Sequence, residues 1–327
     1  MADRRVLITT SYLEPGDEIH TMLTDAGCEV SYSRPQDRDS ANTLAGAVAQ
    51  VEAVIAGTEP FSAELMDTAG ALRIIARTGV GYDSVDLSAA ARNGVTVCNT
   101  PGANRQSVAE LAIGLMLSNA RHLVPAAADV EAGNWVQRSG RELSGATLGV
   151  IGFGAIGKEV ASIATAFGMR ILVSDPALDE TFAAAIGAQA RPLSELLAES
   201  DFVTLHIALN PQTHHLIDGD ALAVMKPSAY LINTSRGGVV DERALAGALR
   251  EERLAGAALD VLEQEPLAAD DPLREAPNLV ITPHIAGATA EARSRSGHLA
   301  ATQVIDFLDG RPIAHPVAIP SASGAER

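Results

Sequence analysis

Three side chains in the C-terminal half have the types and surroundings to move a proton beside a bound carboxylate: Arg236, Glu265 and His284. Arg236 follows the strand-like run Ala229–Asn233 and is itself followed by Gly237 and Gly238. A guanidinium there could bind a carboxylate through two parallel N–H donors and polarise an adjacent carbonyl. His284 follows Pro283 at the end of the last strand-like run. Imidazole ordinarily ionises near neutrality, which suits proton exchange with a hydroxyl or carbonyl oxygen. Glu265, in Glu263-Gln264-Glu265-Pro266, follows the preceding strand and could converge on His284. A carboxylate behind an imidazole fixes the ring and stabilises the imidazolium. Each residue also has a plain reading, Arg236 as a solvated surface arginine and His284 as a hydrogen-bonded loop residue.

These residues need a frame. The stretch Val150-Ile151-Gly152-Phe153-Gly154-Ala155-Ile156-Gly157 reads as a buried strand, a glycine turn and the start of a helix. In a dinucleotide-binding βαβ unit Gly152 permits the tight turn, Gly154 lets the backbone approach a pyrophosphate, and Gly157 lets helix and strand pack closely. Asp175 ends the next apolar run, Ile171–Ser174, where a ribose-binding acid belongs. A carboxylate accepts from a free 2′-hydroxyl and repels a 2′-phosphate, and Pro176 and Ala177 supply no arginine, so NAD is expected over NADP. The competing reading is a structural glycine turn in another α/β domain.

Strand-like runs at Val6–Thr10, Cys28–Tyr32, Ala53–Ala56, Arg73–Ala76 and Thr96–Cys98 alternate with helical segments such as Asp17–Ala26 and Phe61–Ala69. A second alternation starts at Leu148–Ile151. It continues through Ile171–Ser174, Ala188–Ala190, Phe202–His206, Ala229–Asn233, Ala257–Asp260 and Leu279–Thr282. Such alternation predicts α/β architecture with two doubly wound parallel sheets. The first half lacks a glycine fingerprint. It does carry Arg77-Thr78-Gly79-Val80-Gly81, where a strand end could present backbone N–H groups and Arg77 to an anion, or form an ordinary turn. Apolar spacing predicts a helix over Ser107–Leu123, ended by Pro125. Trp135, in the polar stretch Asp129–Ser144, is expected to pack either across a subunit interface or on its own domain. A last helix over Ala290–Gly310 is long enough to return to the first domain, and the tail Ser321–Arg327 is expected to be disordered.

Aromatic residues make up only 3% of the chain against 47% hydrophobic, which predicts aliphatic cores. The formal net charge of −17 argues against sequence-independent binding to nucleic acid or an anionic membrane. Cys28 and Cys98 lie in separate apolar runs and read as small buried residues; no His/Cys/Asp/Glu set has metal-ligand spacing. The first strand begins too early to leave room for a signal peptide, and no apolar run reaches membrane-spanning length, so a cytoplasmic protein is expected.

Four ordered motifs then resemble a known family across essentially the whole chain. They are Gly152-x-Gly154-x-x-Gly157 with Asp175; Asn233-Thr234-Ser235-Arg236-Gly237-Gly238-Val239-Val240-Asp241-Glu242; Ala258-Leu259-Asp260-Val261 with Glu265-Pro266; and Pro283-His284-Ile285-Ala286-Gly287. The chain is similar to the D-isomer-specific 2-hydroxyacid dehydrogenases, nearest their D-3-phosphoglycerate dehydrogenase branch. The resemblance implies a Rossmann NAD domain over residues 101–286, inserted in a flavodoxin-like substrate domain built from 1–100 and 287–327. It implies an active site in the interdomain cleft and a homodimer formed largely through the NAD domains. Flexible connections around Thr100 and after His284 would permit closure of that cleft. His284 would be the acid/base, Glu265 its partner, and Arg236 the carboxylate anchor. Cofactor contacts would fall on Ala155, Ile156, Asp175, Ile207, Thr234, Ser235, Asp260 and Gly287. Gly79, Val80 and Gly81 would bind the substrate carboxylate, with Arg77 and Asn104 alongside.

The implied reaction passes a hydride between nicotinamide and C2 of a D-2-hydroxy or 2-keto acid. Phosphoglycerate dehydrogenase and hydroxypyruvate or glyoxylate reductase are the neighbouring readings. From another class comes an NAD(H)-sensing, corepressor-like binding protein. Departures from the pattern are the loop Ala56-Gly57-Thr58-Glu59, which has an acid and no arginine for a substrate phosphate, and Ala208 in place of a usual proline. The chain also ends before the regulatory domains of longer members, so serine feedback through them is not expected.

Overall fold

The computed structural model describes residues 4–35, 38 and 43–318, and the expectation for the tail at 321–327 lies outside them. Two compact units emerge, one built from the residues up to Asn104 with those from Ala290 onward, the other Arg105–Thr289. Their limits lie a few residues beyond 100/101 and 286/287. A hydrogen bond of 2.7 Å between the hydroxyls of Ser107 and Thr289 ties both ends of the second unit together.

In the first unit the order is β1 (Arg5–Ile8), α1 (Glu18–Asp25), β2 (Glu29–Tyr32), α2 (Leu44–Val48), β3 (Ala53–Ala56), α3 (Ala63–Thr68), β4 (Ile74–Arg77), α4 (Leu87–Arg92) and β5 (Thr96–Cys98). The strands form a parallel sheet in the order β2-β1-β3-β4-β5. Every residue of β3 and β4 is buried, as a sheet covered on both faces demands. Asp17, Thr43, Ser62 and Asp86 cap α1 to α4 through their side-chain oxygens, which sets where each helix begins. Cys28 and Cys98 are free and buried.

The second unit begins with α5 (Arg105–Arg121) and α6 (Leu123–Glu131). It continues with β6 (Thr147–Ile151), α7 (Ala155–Ala166), β7 (Arg170–Ser174), α8 (Glu180–Ala185), β8 (Gln189–Ala190), α9 (Leu193–Glu199) and β9 (Phe202–Leu205). It closes with α10 (Gly219–Val224), β10 (Tyr230–Asn233), α11 (Glu242–Arg250), β11 (Gly256–Leu259) and β12 (Leu279–Ile281). The parallel sheet runs β12-β11-β10-β9-β6-β7-β8, so the strand order reverses between β6 and β9. Open α/β sheets bind ligands at such a reversal, beyond the carboxyl ends of the strands. The last helix, α12 (Ala290–Leu308), belongs to the first unit, where Ala300, Ala301 and Val304 join a core with Val6, Ile8 and Ile55.

Two expectations need correcting. Pro125 does not end the helix over Ser107–Leu123. The break is at His122, whose left-handed φ of 53° turns the chain, and Pro125 sits in the first turn of α6, where a missing N–H costs nothing. Trp135 does not pack on its own domain, being 86% exposed. None of the residues of α6 is buried in the single chain.

Candidate active site

The carboxyl ends of β10, β11 and β12 carry the three residues first singled out. Asn233, the last residue of β10, builds the turn that follows. Its Oδ1 accepts from the N–H and hydroxyl of Ser235 at 3.0 and 2.8 Å, and its Nδ2 donates to the Arg236 carbonyl at 2.8 Å. Arg236 in turn donates from Nη1 to the Ser235 carbonyl at 2.7 Å, which fixes the base of the guanidinium. Gly237 has no room for a side chain, because a β-carbon there would overlap the Leu262 carbonyl group. The turn carrying Arg236 and the loop carrying Glu265 are therefore in direct backbone contact.

Glu265 and His284 converge as expected. His284 Nδ1 lies 2.8 Å from Glu265 Oε2, while Glu265 Oε1 accepts from the Leu262 N–H at 3.0 Å. Both side chains are about two-fifths exposed, at 39% each. With Nδ1 held by the carboxylate, Nε2 is the nitrogen left for chemistry. His284 has a left-handed φ of 54°, which costs a residue with a β-carbon about 1–2 kcal/mol. Its N–H compensates by donating to the Asp260 and Thr282 carbonyls at 2.8 and 3.0 Å.

Asp260 is 1% exposed and its carboxylate is committed to the same loop. It accepts from the Thr282 hydroxyl at 2.6 Å and from the N–H groups of Ile285 and Ala286 at 2.9 and 2.7 Å. Asp260 thus shapes the turn that presents His284. Gly287 lies in the next turn, closed by a bond from the Ala288 N–H to the Ile285 carbonyl.

The glycine loop has the geometry a dinucleotide needs. Gly152 has φ +91°, and a β-carbon on it would come within 2.6 Å of the Ile207 side chain. On Gly157 the β-carbon would overlap the Gly152 carbonyl, whereas on Gly154 it would meet no protein atom within 4 Å. Ala155 and Ile156 open α7 directly after it, so their N–H groups have no partner within the helix. Asp175 latches the loop by accepting from the Phe153 N–H at 2.5 Å and from the Ala177 N–H at 2.7 Å. The buried Thr234 hydroxyl has no partner among the described residues. An open backbone position, a helix start and a buried orphan hydroxyl together fit a bound NAD.

His206, directly after β9, bonds through Nε2 to the Thr204 hydroxyl at 2.9 Å, and its Nδ1 is shut off from solvent. Burial pushes its pKa down to about 3, so it is a neutral ring at physiological pH.

In the first unit the carbonyls of Gly79, Val80 and Gly81 accept from Thr100 N–H, Asn99 Nδ2 and Arg77 Nε at 3.0, 2.7 and 3.3 Å. Arg77 is 6% exposed, and the buried Asn104 Oδ1 has no partner among the described residues. Glu59 is also buried; Arg38 Nη2 donates to it at 3.2 Å and the Thr9 hydroxyl at 3.3 Å. The unexpected acid of that loop is therefore a paired, internal group.

Sequence reasoning passed over two side chains beside the site. Glu242, at the start of α11, accepts from the Glu263 N–H at 2.7 Å, and His215 Nε2 lies 2.8 Å from Glu263 Oε1. Glu242 closes the motif Asn233–Glu242 and carries no role of its own in that reading. Only the positive φ of His215, 50°, marks that residue as specially placed, and sequence carries no sign of it.

The model of the D-isomer specific 2-hydroxyacid dehydrogenase NAD binding domain matches residues 113–286. A glyoxylate reductase of Korarchaeum cryptofilum is 44% identical over 259 residues, 77% of this chain and 78% of that protein. A D-3-phosphoglycerate dehydrogenase of Methanocaldococcus jannaschii is 41% identical over 84% of this chain, which spans only 52% of that longer protein. Among solved structures, the D-lactate dehydrogenase of Aquifex aeolicus complexed with NAD and lactic acid matches with a TM-score of 0.83. It is 31% identical, over 93% of this chain and 96% of that one. With a matching NAD-binding model over more than half its length, the chain belongs to the D-isomer-specific 2-hydroxyacid dehydrogenases, NAD-dependent oxidoreductases.

Proposed function

We propose that the protein reduces a small 2-keto acid to the D-2-hydroxy acid, and catalyses the reverse, with Arg236, Glu265 and His284 as the catalytic set. The observation that carries this is the 2.8 Å pairing of Glu265 with His284 Nδ1, which leaves Nε2 to exchange a proton. Bound NADH would supply the hydride to C2. Arg236 holds the carboxylate and draws charge from the adjacent carbonyl. His284 gives its Nε2 proton to the oxygen as the hydroxyl forms, and Glu265 stabilises the imidazolium that precedes this transfer. Gly152, Gly154, Ala155, Ile156, Gly157, Asp175, Ile207, Thr234, Ser235, Asp260 and Gly287 form the cofactor side. Arg77, Gly79, Val80, Gly81 and Asn104, in the five-stranded unit, serve substrate binding. Asp175 at the end of β7 favours NADH over NADPH.

Named relatives supply the substrate panel: glyoxylate, hydroxypyruvate, pyruvate and 3-phosphohydroxypyruvate. With no arginine in the loop Ala56-Gly57-Thr58-Glu59 to meet a phosphate, an unphosphorylated acid is the expected preference. NADH oxidation with each acid, beside His284→Ala, tests the reading. A fall of at least about 10²-fold in kcat is expected in the variant. NADH binding without turnover on any of the acids would favour a sensor instead.

The protein works as a homodimer in this reading. Leu123, Val124 and Val130 of α6 are 53–54% exposed, and Val136 beside Trp135 is 52% exposed, an apolar face suited to a second copy. Among the described residues no helix is long and apolar enough to cross a membrane, and a cytoplasmic location is part of the proposal.

A further inference from the structure

We propose that Glu242, which the catalytic roles above leave unused, is a positioning residue that clamps the Leu262–Glu265 turn and thereby holds Glu265 on His284. The inference rests on the dehydrogenase reading of that pair. The Leu262 N–H goes to Glu265 Oε1, and the next N–H of the turn, on Glu263, goes to Glu242 Oε1 at 2.7 Å. Glu263 is held a second time through its carboxylate, which meets His215 Nε2. The same Leu262–Glu263 peptide lies against Gly237, adjacent to Arg236. One carboxylate at the start of α11 therefore bears on both the anchor and the acid–base pair.

Glu242 is 8% exposed, and burial among Glu263, Asp271 and Glu265 pushes its carboxyl up to about 7. Asp241 and Asp270 are further acids lining the same cavity, and His215 and Arg243 are its basic groups. The ionised carboxylate makes the stronger, charge-assisted bond to the Glu263 N–H. The clamp should therefore tighten as pH rises through neutrality.

The test compares the full-length protein with Glu242→Ala and Glu242→Gln. Glu242→Ala should lower kcat about tenfold or more while leaving NADH affinity within about twofold, because a misplaced catalytic group costs rate rather than cofactor binding. Glu242→Gln keeps an acceptor and should recover most of that loss below neutrality. The ratio of wild-type to Glu242→Gln kcat should rise through about pH 7. An unchanged kcat in Glu242→Ala, or a ratio flat across neutrality, overturns the proposal. Amide exchange of the 262–265 segment gives a readout independent of turnover, and it should be about tenfold faster in Glu242→Ala. Unaltered exchange there also overturns the clamp. A wild-type protein inactive on every 2-keto acid would sink the functional reading, while exchange would still decide the clamp.

Discussion

The glycine loop after β6 and the turns after β10, β11 and β12 lie on one sheet but are built in opposite ways. The first works through what its residues lack. Gly152, Gly154 and Gly157 allow a close turn, an open backbone face and a close helix, and a single carboxylate, Asp175, latches the result. The second works through side chains that would be poorly placed alone and are made rigid by one another: Asn233 under Arg236, Asp260 under His284, Glu265 on His284, and Glu242 under Glu263. A loop that grips a cofactor through its backbone needs space. A site that moves a proton needs orientation, and it takes that from hydrogen bonds.

If that contrast is right, damage to the two regions should separate kinetically. Glu265→Gln should have the largest effect, about 10²–10³-fold in kcat, since an amide can hold the ring but not stabilise its positive charge. NADH affinity should change little, and an equal loss in both would break the comparison. Gly237→Ala should come next, at about 10²-fold in kcat/KM, because the added methyl must displace the Leu262 carbonyl and with it the Glu265 turn. Near-normal activity would show that the two turns are not in rigid contact. Asp175→Ala should be mildest, raising KM for NADH about tenfold with saturated kcat within about twofold, since it removes a ribose acceptor and a loop latch but nothing from the acid–base pair. A larger loss in kcat than in KM would mean that the glycine loop also orients the reacting centre.

The fold was largely legible because burial on both faces leaves little freedom in composition. Runs such as Ala53–Ala56 and Phe202–Leu205 are apolar at every position but one, and the chain forms strands there. The pairing of Glu265 with His284 was legible from the rule that places strand ends together, although the residues are well separated in sequence. What escaped depends on backbone conformations or contacts that residue type does not announce. His122 turns the chain between α5 and α6 with no glycine to mark it, whereas Pro125, three residues on, is the residue type that signals a helix end. Asp260 was expected at the cofactor, and residue type gave no sign that its carboxylate would also hold Thr282, Ile285 and Ala286 and so shape the turn under His284. Glu242 follows the capping Asp241 on a helix with a polar face, and residue type does not announce that its carboxylate accepts from the Leu262–Glu265 turn.

The missing space between Gly237 and the Leu262–Glu263 peptide bears on how this enzyme could change over generations. Two surfaces in van der Waals contact cannot drift separately. A substitution that bends the Arg236 turn toward a bulkier acid would displace the proton-transfer pair unless a second change followed in the Leu262–Glu265 loop. The Arg236 and Glu265 segments should therefore be inherited as a single block, changing together or not at all.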